Sequence, residues 1–299
     1  MKAWILAKKA NFDSYENKSF VEEAENAGIE VKIVAPEEFE LIVTKEGRKS
    51  ILYNGKPLEL PDFLIPRMGA GTTYFALAVI RHLERLGVFT LNSSQSIENS
   101  KDKLAALQIL ASNNIPIPKT MLAKFPLDIE IVENEFSYPI IVKTVSGTEG
   151  KGVFLCEKKT QLKDLTDLIE VSIDPKINVI MQEFVTPSKG KDIRVIVIGG
   201  RAVGAMLRTA GRGKFKANYS AGGKVEAFKL NPTLEWLAVE SSKLLGLEIA
   251  GVDLLFDGDN YKICEVNSAP GFDGFEKATG INVSKKIYQY AKVRLEGHP

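Results

Sequence analysis

At 299 residues the chain exceeds the size at which one hydrophobic core stops growing, so two or three subdomains are expected. Its 39 basic and 38 acidic residues leave a net charge of +1, which excludes a global bias toward nucleic acid or an anionic membrane. Hydrophobic content of 44% with 26% charged residues excludes a disordered chain.

Two cysteines, Cys156 and Cys264, exclude a disulfide scaffold and fit a reducing, cytoplasmic setting. His82 and His298 leave almost no material for zinc sites or histidine-based triads. The apolar run in "MKAWILAKKANF" is too short for a secretory leader, and no stretch approaches the ~18 apolar residues of a membrane span. A soluble protein without membrane or direct nucleic-acid partners is expected.

"KAWILA" predicts a strand, residues 14–27 a helix ended by Gly28, and "VKIVA" a second strand. In "ILYNGKPL" the Asn-Gly pair predicts a hairpin. "FLIP" is a further strand, "TTYFALAVIRHLERLG" a periodic helix closed by Gly87, and "FTLN" one more strand. This alternation predicts a small, largely parallel sheet with helices on its faces. "NSKDKLAALQILASNNIPIP" predicts one capped helix and then a Pro-rich connector. From residue 138 strands crowd together: "YPIIVKTV", "GVFLCE", "NVIMQEFV", "IRVIVIGG" and "AVGAMLRT". Short Gly-containing turns between many of them predict antiparallel pairing. The helix "NPTLEWLAVESSKLLGL", two last strands and the amphipathic helix "SKKIYQYAKVRLEG" complete the chain. The expected segments are 1–98, 99–182 and 183–299.

The last two strands carry the sharpest signal. In "GVDLLFDGDNYKICEVNS" a turn rich in Asp, Gly and Asn separates two apolar runs. A hairpin centred on Asp259 sets Asp253 opposite Glu265, and Asn267 shares the face because strand side chains alternate. A slip of one residue would remove Asp253 from that face. Three converging oxygen donors without histidine or thiolate are the preference of a hard cation such as magnesium.

Other stretches are individually weaker. "VKTVSGTEGKGVFL" places Gly147, Gly150 and Gly152 in a hairpin loop whose backbone N–H groups suit phosphate oxygens, with Lys143 on the strand before it. It lacks the Gly-Lys-Ser/Thr ending and following helix of a Walker loop. "MQEFV" ends a buried strand at Glu183-Phe184, and "GKDIRVIVIGG" opens the next with Asp192 and Arg194 on one face. Asp192 suits ribose hydroxyls, and a surface ion pair is the plainer alternative. "AMLRTAGRGKFKANYSAGG" gathers Arg208, Arg212, Lys214, Lys216 and Asn218, a basic hairpin able to meet a triphosphate or an anionic substrate.

In this order these residues resemble the ATP-grasp ligases, and within them the RimK-like α-L-glutamate ligases. The likeness runs through nearly the whole chain, on "IPRMG", "LNSSQSI", "KDKLAALQIL", "IIVKTVSGTEGKGV", "MQEFV", "GKDIRVIVIGG", "MLRTAGRGKFKANYSAGG", "GVDLLF" and "CEVNSAPGFDGFEKATGINV". It implies a mixed α/β ATP-grasp fold of three subdomains: an N-terminal α/β pre-ATP-grasp domain, a central lid, and a C-terminal part carrying the metal site. It further implies an ADP-forming ligase. A carboxylate phosphorylated by ATP is attacked by the amine of an amino acid, L-glutamate in this branch. The acceptor would be a peptide, a protein C-terminus or a small carboxylate, and a homo-oligomer is compatible with the family.

Position by position, the resemblance implies that Asp253, Glu265 and Asn267 hold magnesium, or manganese in its place. Lys103 and Lys143 would contact ATP, and Glu183-Phe184 would form the hinge beside adenine. Asp192, Lys216 and Asn218 would make further nucleotide contacts, and Arg208 would sit near the acyl phosphate. Arg67, Asn92 and Arg194 are candidates for substrate recognition. Where this branch tends to carry a His-Arg pair, the chain has Ser220-Ala221, and Phe184 replaces a common Tyr. The competing readings are a non-catalytic ATP-binding module and a dipeptide- or glutathione-forming ATP-grasp ligase. Three retained metal positions weigh against the first, and "LNSS" and "APGFDGFEKATGI" against the second. RNA binding has only the basic hairpin behind it.

Overall fold

The computed structural model describes residues 1–43, 45, 50–144, 152–172, 178–211 and 222–297. Strand β1 (Lys2–Leu6) is buried from Ala3 onward, as expected of a strand covered on both faces. Helix α1 (Tyr15–Ala27) starts where the Ser14 side chain accepts from the Asn17 N–H, and stops at Gly28 in the left-handed conformation. β2 (Glu30–Val34) lies parallel beside β1. A small antiparallel sheet follows, made of β3 (Phe39–Leu41), β4 (Ile51–Tyr53) and β5 (Lys56–Pro57). Asn54 and Gly55, both at positive φ, make the tight turn that their sequence predicts. β6 (Phe63–Pro66), helix α2 (Tyr74–Arg85) and β7 (Phe89–Thr90) complete a parallel sheet of order β2-β1-β6-β7.

Where one helix was expected there are two, α3 (Ser94–Lys101) and α4 (Lys103–Ser112). The break falls at Asp102, whose extended backbone lets its carboxylate accept from the Leu104 and Ala105 N–H groups and start a second helix. Next come β8 (Thr120–Lys124), α5 (Ile129–Glu135), β9 (Ile140–Thr144), β10 (Val153–Cys156), α6 (Lys159–Ser172) and β11 (Asn178–Glu183). Their strands form an antiparallel sheet of order β10-β9-β11-β8 over a core that includes Val132, Val142, Leu162 and Met181.

The third segment contains β12 (Lys191–Ile198), β13 (Arg201–Thr209), β14 (Lys224–Phe228), α7 (Pro232–Leu244), β15 (Ile249–Asp257) and β16 (Asn260–Asn267). The strands pair antiparallel in the order β14-β13-β12-β15-β16, followed by α8 (Asp273–Thr279) and α9 (Val283–Glu296).

Two cores cross the expected segment boundaries. On one face of the five-stranded sheet, Val195, Val197, Val252 and Leu254 pack with Leu234 and Leu237 of α7 and with Ala106 and Leu110 of α4. On the other, Ile196, Ile198, Met206 and Ile249 join Ile5, Phe20 and Phe63 of the N-terminal part in one core. Helix α9 closes it: Tyr288 is fully buried there and its hydroxyl donates to the Phe20 carbonyl at 2.9 Å. The first and third parts are therefore held by shared apolar burial and not by a linker alone. Among the described residues no helix is long and apolar enough to cross a membrane.

Candidate active site

The β15–β16 hairpin brings Asp253 opposite Glu265, and Gly251 opposite Asn267. It reaches that pairing by an unexpected route. The turn residues are Gly258 and Asp259, with Asp257 paired to Asn260, and this register holds as far as Leu254 opposite Ile263. Continued, it would set Asp253 opposite Cys264. Cys264 is instead the extra residue of a β-bulge, and pairing resumes one step later. The bulge also reverses the phase of the strand. Tyr261, Ile263 and Val266 belong to the core under α7. Strict alternation from Tyr261 and Ile263 would have carried Glu265 into that core.

Asp253 lies in a chain of four charges. Arg194, directly across from it on β12, donates from Nε and Nη2 to its two oxygens at 2.7 and 2.8 Å. Arg208 reaches the second oxygen at 2.9 Å and donates from Nε to Asp192, its partner across β12–β13, at 2.6 Å. Arg208 and Asp253 are only 4% and 6% exposed, so these pairs work in a low dielectric. Burial pushes the Asp253 carboxyl up, but Arg194 and Arg208 outweigh it and hold it below the usual carboxylate range. For Asp192 burial wins over Arg208, and its carboxyl is raised. Burial opposes the Arg208 charge, but Asp253 and Asp192 together raise its pKa.

The geometry revises two expectations. Asp192 is committed to Arg208 instead of standing open for a ribose. Arg194 is a bidentate clamp on Asp253 instead of a group aimed at substrate.

The donors nevertheless fit a hard divalent cation. Asp253 keeps part of its acceptor capacity, since two of its roughly four lone-pair positions meet Arg194 and one meets Arg208. The Glu265 carboxylate has no hydrogen-bond or ion-pair partner among the described residues. Asn267 makes only a long bond, 3.4 Å, from its nitrogen to the Gly251 carbonyl, so its amide oxygen is open. Gly251 is required here. A Cβ at that position would lie 2.5 Å from the Pro270 ring, which folds back over β15 directly after Asn267.

Beside Glu265 opens a cleft between the lid sheet and β16, with roughly 430 Å³ of space, some of it open to solvent. One wall is apolar, from Ala106, Leu107 and Leu110 of α4 with Ile180 and Val266. The other residues are polar: Lys103, Lys143, Gln182 and Glu265, with Ser100 and Cys264 at the margin. The Lys143 amine donates to Gln182 Oε1 at 2.6 Å, and Gln182 in turn donates to Thr120 at 2.9 Å, which fixes the lysine's direction. Burial pushes the Cys264 thiol up, so it is a neutral wall and not a nucleophile. Gln182 escaped the sequence reading, although a polar residue inside the buried run "VIMQE" was its signal.

Glu183 ends β11 at the lid's edge and pairs with Lys262 of β16, bracing the two parts where a hinge was expected. Phe184 follows, half-buried. Asn92 is fully buried, and its amide is fully used. It donates to the Ile249 and Ser268 carbonyls at 2.7 and 2.8 Å and accepts from the Glu248 and Ile249 N–H groups at 2.6 and 2.8 Å. It therefore locks the N-terminal part to β15 and has nothing left for a substrate. Arg67 donates to the Pro270 carbonyl at 2.9 Å, beside the segment that leaves Asn267. Gly152, at φ 73°, enters β10. Gly147, Gly150, Arg212, Lys214, Lys216, Asn218, Ser220 and Ala221 lie outside the described residues.

Two family models match the chain: a RimK PreATP-grasp domain over residues 1–97 and a RimK-like ATP-grasp domain over residues 100–291. A protein of Legionella pneumophila named probable alpha-L-glutamate ligase is 40% identical over 297 residues, 99% of this chain and 97% of that one. One of the same name from Rhodopirellula baltica is 40% identical over 283 residues, 94% of this chain and 69% of its own. The solved ATP-grasp ligase PsnB, complexed with minimal precursor, Mg and ADP, matches with a TM-score of 0.75 at 19% identity over 98% of each chain. Fold, cleft and likenesses define an ATP-grasp enzyme, an ADP-forming ligase. The two models meet end to end along the sequence, and the chain belongs to the RimK-like ATP-grasp family.

Proposed function

We propose that this protein uses ATP and magnesium to join the amine of L-glutamate to a carboxylate acceptor, a peptide end or a small acid. The observation that carries this reading is the unpartnered Glu265 carboxylate in a cleft that also presents Lys103 and Lys143. A carboxylate left without a cation, beside two lysines suited to phosphates, is the arrangement that a metal–triphosphate would complete.

In the reaction, the acceptor carboxylate takes the γ-phosphoryl group of ATP, and ADP leaves. The amine of glutamate then attacks the acyl carbon, phosphate departs, and an amide remains. Phosphoryl transfer asks for positioning and charge neutralisation more than for a nucleophilic side chain, so the lack of histidine is no obstacle. Lys103 and Lys143 bind the phosphates, and the α4 wall with Ile180 takes the purine beside Glu183-Phe184. Asp253, Glu265 and Asn267 hold the metal, which supplies charge neutralisation and a template when bound; manganese offers the same coordination chemistry. Arg208 and Arg194 keep Asp253 ionised and fixed, and Arg208 adds positive charge next to the transferring group. Gly147, Gly150, Gly152, Lys216 and Asn218 are assigned to the nucleotide by family position.

The test is incubation of the protein with ATP, magnesium, a mixture of amino acids and a panel of carboxylate acceptors, followed by mass spectrometry. We expect ADP release that depends on glutamate and a product heavier by one glutamyl residue. No ADP release with any acceptor would contradict the proposal.

A further inference from the structure

The N-terminal parallel sheet changes its direction of growth at β1: the chain leaves toward β2 on one side and returns as β6 on the other. Its helices accordingly lie on opposite faces, α1 with Ile5 and Phe63, α2 with Leu6 and Leu64. Loops that part in this way leave a crevice beyond the carboxyl ends of the strands, where open α/β sheets bind ligands.

In this chain cations line that crevice. Lys8, two residues past β1, is exposed and lies against Gly71, where an added Cβ would be 2.7 Å from its amine. Arg67 follows β6 directly. Lys101, at the end of α3, donates to the Thr72 carbonyl at 3.1 Å. Gly69 of the same loop approaches Ala269, so the crevice runs up to the segment that leaves Asn267.

None of these three cations has an acidic partner at ion-pair distance among the described residues, unlike Arg194 and Arg208. The Arg67 guanidinium lies over the rings of Phe272 and Phe20, 5.5 and 6.0 Å from their centroids. Glu16 is close enough to act on its charge, but it accepts from the Phe272 N–H at 3.1 Å. Burial lowers the Arg67 pKa and Glu16 offsets this only in part. A cation held in such surroundings without a counter-ion is compensated when an anion arrives. At the rim, Tyr74 and Phe75 open α2 with 80% and 43% of their surfaces exposed. Such aromatic surface suits a peptide better than a small, fully hydrated acid.

We propose that this crevice binds an acidic peptide, with carboxylates on Lys8, Arg67 and Lys101 and apolar atoms against Tyr74. Its role as the acceptor site rests on the ligase reading; its ability to bind does not.

The test titrates fluorescein-labelled tetraglutamate into the full-length protein by fluorescence anisotropy, with tetraglutamine as control, at low and high salt. Tetraglutamate is expected to bind about tenfold tighter or more and to lose that margin as salt screens the charges. Lys8→Gln and Lys101→Gln should each weaken it about two- to fivefold, the range of an exposed ion pair. Arg67→Lys should retain more affinity than Arg67→Met, and thermal unfolding of each variant separates lost binding from lost fold. Equal binding of the two peptides, binding of neither, or a Lys8→Gln/Lys101→Gln double variant that binds like wild type would overturn the proposal. Peptide binding without ADP release under any condition would sink the ligase reading and leave the crevice. Ligation insensitive to Lys8 and Lys101 would do the reverse.

Discussion

Asp253→Asn is expected to cost about 3–5 kcal/mol of folding stability as well as turnover, because it leaves two buried arginines sharing one aspartate. Asp253 accepts from Arg194 at 2.7 and 2.8 Å and meets Arg208 at 2.9 Å, with 6% of its surface exposed. An amide keeps the shape but removes the charge that both guanidinium groups face. Urea unfolding with the slope held common to both proteins measures the loss. The pH dependence follows from the same pairing. The Asp253 carboxyl is depressed in the fold, so its contribution is present above the unfolded carboxylate range, near ~3.9, and is lost as pH falls through the folded value. Asp192, raised by burial, acts with the opposite sign and flattens the profile without cancelling the arginine pairs. The Asn variant should lack the Asp253 part of this acid-side slope. A variant as stable as wild type would mean that Arg194 and Arg208 find other partners.

Glu265→Gln is expected to leave the fold intact and to lower turnover by about 10³-fold or more, as removal of a charge placed for phosphoryl transfer should. The two variants differ for a structural reason. Glu265 is half-buried and has no partner among the described residues, so nothing in the fold depends on its charge. Asp253 holds a network together, and Glu265 serves only what enters the cleft. Coincident unfolding curves beside collapsed ADP release would be the signature. Equal loss of stability and activity would show that Glu265 is a structural residue.

Much of this site was legible in the sequence, and the reason is local. The Asp-Gly-Asp-Asn turn between two apolar runs sets a hairpin, and a hairpin fixes which residues face each other over a short distance. The pairing of Asp253 with Glu265 was reached in that way, yet the turn alone would have set Asp253 against Cys264. The bulge that corrects the register was written in a conflict of periods. Tyr261 and Ile263 demand the core face, and two steps on Glu265 cannot share it, so the strand must gain a residue.

What stayed hidden depends on partners far apart in the chain. Asp192 suits a ribose until β13 sets Arg208 across from it, and Arg194 looks free until β15 brings Asp253 alongside. Asn92 sits in a loop-like "LNSS" run, and only the assembled molecule places Ile249 and Ser268 on either side of its amide. Helix α6 was missed because its apolar positions alternate with lysines and aspartates that mask a weak period. The shared core of the first and third parts required α9 to return to α1, which no local pattern encodes.

The most direct measurement is a trapping experiment with hydroxylamine in place of the amino acid, using ATP, magnesium and the tetraglutamate acceptor. Attack on a carboxylate that has accepted a phosphoryl group gives a hydroxamate. The account predicts hydroxamate equal to the ADP released, abolished by Glu265→Gln. ADP release without hydroxamate would contradict it, because the phosphoryl group would then be passing to water and not to a carboxylate.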